Sequence, residues 1–216
     1  MIAALKRHAP LLALILAVVA LWSTPVLLPL KILVVLLHEL SHLFAVLLTG
    51  GSVESLLLSP QEGGAVLSRG GNRFLTLSSG YLGSLLIGLG LLWAALHSRA
   101  DRWVLAGLGV LLILIAALYI RDAFALVFCL GAGAVMLALA RFLPHGASDF
   151  ALRLIGLTSI IYVPLDIFSD TLARAHLHSD ARMLAEEFGG ATMLWGAVWL
   201  VLSLLTIFVA MRLLLR

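Results

Sequence analysis

The chain has 216 residues, of which 62% are hydrophobic and only 12% charged, and its mean hydropathy is +1.15. A soluble domain is about half apolar and about a quarter charged, so this composition excludes a water-soluble globule and requires lipid over much of the surface. The net charge of +3 does not point to nucleic acid, because the Lys and Arg residues are scattered among the junctions between apolar runs, where membrane proteins keep them.

A spanning helix needs about 20 apolar residues. The length therefore predicts an all-α membrane protein, a polytopic bundle of six to seven transmembrane helices forming one integral membrane unit over residues 1–216. The first apolar segment, about 10–22, follows Lys6 and Arg7. It looks like a signal peptide, but no small-residue cleavage site follows and the next apolar run begins almost at once, so a retained first helix is expected. The second segment, about 26–48, contains His38-Glu39-Leu40-Ser41-His42 and stops at Thr49-Gly50-Gly51, a helix-ending signal.

Residues 52–73 differ in kind. Two short apolar stretches, 53–58 and 65–68, flank Pro60-Gln61-Glu62-Gly63-Gly64, which predicts a small β-hairpin. Irregular backbone this apolar, beside a membrane helix, has to pack against protein or lie at the interface. The third segment, about 75–96, carries Gly80, Ser84 and Gly88 at four-residue spacing, a stripe that allows close helix packing. The fourth and fifth, about 103–120 and 123–142, are divided by Arg121-Asp122. A sixth runs over about 150–173 and a seventh over about 192–215. Between them, 176–189 is polar and is expected to hold a short amphipathic helix. Cys129 lies in an apolar run and reads as a buried inert thiol.

The chemistry concentrates in His38-Glu39-Leu40-Ser41-His42. On a helix, positions i and i+4 share a face about one turn apart, so His38 and His42 can bind one zinc ion. Glu39 beside them can take a proton from water and pass it to a leaving amine. Residues 32–37 and 43–48 are wholly apolar, which puts three ionisable groups inside a membrane helix. A charge at mid-membrane costs about 2.5–3.5 kcal/mol even on the lenient insertion scale, so such groups signal function; a polar cluster gluing helices together, or a proton relay, is the competing reading.

A catalytic zinc needs a third protein ligand and an open position. His8, His97 and His145 fall at helix ends, where solvated surface histidines are expected, and His176 and His178 lie in the polar stretch. The preferred third ligand is Asp166, on the helix predicted at about 150–173 and next to Pro164, which can open the backbone. Asp170, one turn later, is the main rival or a partner behind the ligands, and Asp180 is the third choice. The second halves of segments two and six are four crossings apart, so they face the same side of the membrane.

At these residues the chain resembles the site-2 protease family of intramembrane zinc metalloproteases (peptidase family M-50), in a compact branch without PDZ or CBS domains. The resemblance covers most of the chain. It rests on His38-Glu39-Leu40-Ser41-His42 with Thr49-Gly50-Gly51, on Gly63-Gly64, on Ser79-Gly80-Tyr81-Leu82-Gly83, and on Leu165-Asp166 with Ser179-Asp180-Ala181. It implies His38 and His42 as zinc ligands, Glu39 as general base, Asp166 as third ligand, and cleavage of a single-pass membrane protein in or near its transmembrane segment. The family's usual Leu-Asp-Gly is here Leu165-Asp166-Ile167, which keeps Asp170 in play. Substrate-binding residues are not readable from the sequence; Val66 and Leu67, on a strand edge that could hold an unwound substrate by β-augmentation, are the candidates.

Two other functions compete: a zinc-binding but non-proteolytic regulator of a membrane partner, and a metal or proton transporter. A transporter needs a polar path to both faces, whereas the ionisable groups here gather toward one. Lys6 and Arg7 favour a cytoplasmic N-terminus, and a bacterial inner membrane is the expected location.

Overall fold

The computed structural model describes residues 2–173 and 179–214. Helix α1 (Ile2–Ala20) is followed by a 3-10 turn (Pro25–Leu27) and α2 (Leu28–Leu48). Strands β1 (Ser52–Ser59) and β2 (Gly63–Arg69) come next, then α3 (Arg73–His97), α4 (Asp101–Tyr119), α5 (Ala123–Phe142) and α6 (His145–Phe168). A π-helical turn (Ser169–Ala173), α7 (Asp180–Phe188) and α8 (Thr192–Leu214) complete the described chain. Six of these elements are long and apolar enough to cross a membrane: the 3-10 turn with α2, then α3, α4, α5, α6 with its π-turn, and α8. The protein is an integral multi-pass membrane protein, and the predicted hairpin is present after α2.

Side-chain caps set several boundaries. Asn72 accepts from the Leu75 N–H at 3.0 Å to start α3, Asp122 accepts from Ala125 at 2.8 Å to start α5, and Ser179 accepts from Arg182 at 3.3 Å to start α7. Each satisfies one of the orphan amides at a helix N-terminus. The helix predicted from about residue 150 begins earlier, at His145, directly after Pro144, which cannot continue the preceding helix.

The hairpin runs back along α2. Eight residues of β1 at about 3.3 Å each span roughly 26 Å, and the 1.5 Å rise of a helix puts Lys31 about 25 Å from Leu48. The tip accordingly meets Lys31, whose Nζ lies 2.7 Å from Glu62 Oε1, while the Tyr162 hydroxyl of α6 donates to Glu62 Oε2 at 3.3 Å. Glu62 has φ +60°, a left-handed conformation costing about 1–2 kcal/mol for an L-residue, and these two contacts hold it there. Pairing is antiparallel from Ser52↔Arg69 to Ser59↔Gly63, with a bulge at Val53/Ser55. Leu56 and Leu58 of β1 are buried against the cluster that α2, α4 and α5 share.

A second buried cluster joins α3, α6, α7 and α8 around Leu77, Leu85, Leu157, Leu184 and Trp199. Helices α3 and α6 meet closely because a Cβ at Gly88 would lie 2.5 Å from Ser159 Cβ, and one at Gly156 would lie 2.7 Å from the Gly88 carbonyl. Ser159 Oγ donates to the Ser84 carbonyl at 2.8 Å across the same contact. The stripe Gly80–Ser84–Gly88 thus does two jobs: its Gly88 end packs on α6, and its Gly80 end meets the histidines. Cys129 is buried, as expected.

Candidate metal centre

His38 and Glu39 lie ten and nine residues from the end of α2, about 15 and 13 Å along its axis, which is near mid-membrane for a helix of this length. His42 Nδ1 lies 2.7 Å from the Thr76 carbonyl of α3. A carbonyl only accepts, so Nδ1 carries the proton and Nε2 turns its lone pair inward. Nε2 of His42 lies 2.9 Å from Nε2 of His38. Asp180 Oδ2 completes a triangle, 2.9 Å from His38 Nε2 and 3.1 Å from His42 Nε2.

Among the described residues, His38, His42 and Asp180 form the group able to hold a metal ion. Two imidazoles and one carboxylate are a catalytic zinc donor set. A tetrahedron with bonds of about 2.0–2.1 Å has edges of roughly 3.3 Å, close to the spacings seen. The inward lone pair of His42 Nε2, the neighbouring His38 Nε2 and an anionic oxygen at such distances leave a place suited to a cation, so the residues fit zinc.

Sequence favours Asp166 for the carboxylate, but among the described residues the carboxylate that meets the two histidines is that of Asp180. Asp166 and Asp170 line the same cavity as the two histidines, yet neither joins the triangle. Asp166, on α6, also lines a second hollow with Trp22, Glu62 and Tyr162. Asp170, in the π-turn, accepts a 2.6 Å hydrogen bond from the Tyr81 hydroxyl. Asp180 reaches the histidines because α7 folds back against α3, a tertiary event with no local trace beyond the Ser179-Asp180 cap. His97 and His145 lie at the far ends of α3 and α6, where His145 Nε2 is 3.3 Å from Asp101 Oδ2. The side chain of His8, and His176 and His178 entirely, lie outside the described residues.

Glu39 is buried, and its Oε2 has no hydrogen-bond partner among the described residues. Strand β2 passes directly over it: a Cβ at Gly64 would lie 2.6 Å from both Glu39 Cγ and Oε1. On the other side, a Cβ at Gly80 would overlap His38 Nε2 and lie 2.6 Å from His42 Nε2. A Cβ at Gly83 would lie 2.5 Å from Ser41 Oγ. Only glycine lets the hairpin and α3 approach this closely. A cavity of about 820 Å³ opens over the triangle, walled by Glu39, by the edge of β2 from Gly63 to Ser68, and by Tyr81 and Met183. Val66 and Leu67 lie on that wall. Gly64 and Tyr81 lie in motifs that carry the family resemblance, though those motifs assign them no role, whereas no motif marks Thr76, which contributes only a main-chain carbonyl that any residue type supplies.

The sequence model of the family described as Peptidase M50B-like matches residues 11–210 of the chain. No curated protein matches it, and no solved structure does.

Proposed function

The chain belongs to the Peptidase M50B-like family, and on that premise we propose that it is an intramembrane zinc metalloendopeptidase cleaving a peptide bond in or near the transmembrane segment of a single-pass membrane protein. The observation that carries this reading is the convergence of His38, His42 and Asp180 beside the buried, unpartnered Oε2 of Glu39. His38 Nε2, His42 Nε2 and Asp180 Oδ2 would hold the zinc. When bound, zinc supplies Lewis acidity, polarising the scissile carbonyl and making water acidic near neutral pH.

The chain's own groups do the rest. Thr76 keeps the His42 proton on Nδ1 and so keeps Nε2 available as a donor. Glu39 Oε2 accepts a proton from the attacking water and returns it to the leaving nitrogen. The apolar walls of α2 and α3 limit bulk water at the carboxylate. A helical substrate shields its own peptide bonds, so it must unwind before hydrolysis. β2 pairs on one side only with β1, and its other edge lines the cavity. That edge, at Val66 and Leu67, would hold the unwound segment by strand addition. Lys6 and Arg7 favour a cytoplasmic N-terminus, and we take the membrane to be a bacterial inner membrane.

The test is zinc content and cleavage of a panel of single-pass helices by detergent-purified protein. About one zinc per chain with cleavage supports the proposal. Zinc without cleavage of any substrate favours a regulator of a membrane partner, and absence of bound zinc under conditions that preserve it overturns the reading.

A further inference from the structure

The candidate third ligand, Asp180, does not sit on a membrane-spanning helix. It begins α7, nine residues long and outside the candidate spans. Its position against two histidines on α2 therefore depends on whatever fastens the segment around it.

Helix α3 does this at both ends. On one side, Tyr81 donates to Asp170 Oδ2 at 2.6 Å, and its ring meets His38 edge-on with centroids 4.6 Å apart. On the other, Arg73 Nε donates to Glu187 Oε1 at 2.8 Å and Oε2 at 3.1 Å, and its Nη2 lies 3.3 Å from Met183 Sδ. Arg73, Leu77 and Tyr81 are four residues apart, so they share one face over about 12 Å of helix. Leu77 lies between the clamps in the buried cluster that contains Ala181 and Leu184 of α7. Asp170 precedes Asp180 and Glu187 follows it, so the ligand is bracketed. His42 has a carbonyl behind its ring; His38 has the Tyr81 ring instead.

We propose that Arg73 and Tyr81 are positioning residues for the metal centre: together they fix α7 against α3 so that Asp180 meets His38 and His42, and metal affinity rises with both clamps closed. This inference rests on the metal-centre reading given above. The Arg73–Glu187 pair is about half exposed, and exposed pairs contribute little to folding. Its loss should leave the bundle folded while weakening the grip on the ion. Residues behind metal ligands commonly alter metal affinity by about 10–100-fold when removed; these act one step further away and should cost less.

The experiment is zinc competition against a chromophoric chelator on the detergent-purified full chain, with unfolding of the metal-free protein recorded in parallel. Arg73→Gln and Tyr81→Phe should each bind zinc about three- to tenfold more weakly, with metal-free unfolding midpoints unchanged. Arg73→Glu and Glu187→Arg should each be weak, and the two combined should recover wild-type affinity to within about twofold. Wild-type affinity in the single variants, or no recovery in the charge swap, overturns the proposal. So does a loss of metal-free stability that parallels the loss of zinc, since that is a purely structural role. Wild type that binds no zinc removes the metal-centre reading and this inference with it, whereas zinc-binding wild type with indifferent variants removes only the bracket.

Discussion

Helices α2, α3 and α6 differ from α4, α5 and α8 in a way that inverts the rule for soluble proteins. About 67% of the α2 span is buried within the protein, against 22% for α5 and 17% for α8, yet α5 and α8 are the more apolar sequences. In lipid, an apolar surface gains nothing by turning inward, and helices associate through small residues and polar contacts. The inner helices carry His38, Glu39, His42, Ser84, Ser159 and Tyr162, while close glycine contacts occur in both groups, at Gly88 and Gly156 between α3 and α6 and at Gly109 and Gly133 between α4 and α5. The outer ones present Val127, Leu204 and Phe208 to the bilayer. Polarity within a span therefore marks the inside.

That contrast is sharpest at the chemistry. Glu39→Gln should cut hydrolysis by about 10²–10⁴-fold, the usual range for a lost general base, while zinc content stays near wild type. Retained cleavage would mean that Glu39 is not the base. No substitution at Val127 or Leu204 to another apolar residue should approach this effect.

The next largest effect separates two aspartates of one cavity. Asp180→Asn should lower zinc affinity by more than about 100-fold, beyond the range for residues behind ligands. Asp166→Asn should keep most of the metal. Equal zinc in both variants, measured by metal analysis after purification, would return Asp166 to contention.

Glycines compare the two regions directly. Gly80→Ala puts a methyl against both imidazoles and should cost about 1–3 kcal/mol of overpacking together with zinc affinity. Gly107→Ala and Gly131→Ala, on α4 and α5, meet nothing within 4 Å, so thermal unfolding should move by no more than about 0.5 kcal/mol. A Gly80→Ala variant as stable and as metal-bound as wild type would contradict the close approach of α3.

The smallest and most specific effect concerns the hairpin. Val66→Pro removes a strand N–H and should slow cleavage by roughly tenfold if one substrate hydrogen bond and its register are lost, with zinc unchanged. Normal cleavage by the folded variant would sink strand addition and leave the hairpin as a cover for Glu39.

Much of this was legible locally. The apolar runs mark the spans because length and composition suffice to cross a bilayer, and Thr49-Gly50-Gly51 and the Pro60–Gly64 turn bound the hairpin. The spacing of His38 and His42 brings them onto one face by helix geometry alone. In the sequence Asp166 stands out over Asp180 because it lies in an apolar segment, where a charge is costly. Asp180 sits in a polar stretch, where a carboxylate is ordinary.

The sequence by itself therefore determined the membrane class, the hairpin and the histidine pair, all consequences of short-range periodicity and solvent. Only the tertiary structure decided which carboxylate meets the histidines, that Gly64 and Gly80 exist to admit neighbours, and that Thr76 and Tyr81 steady the rings. Those facts depend on how α7 and the hairpin fold back across α2 and α3. Contacts between residues 142 apart, such as His38 and Asp180, leave no periodic trace in the chain.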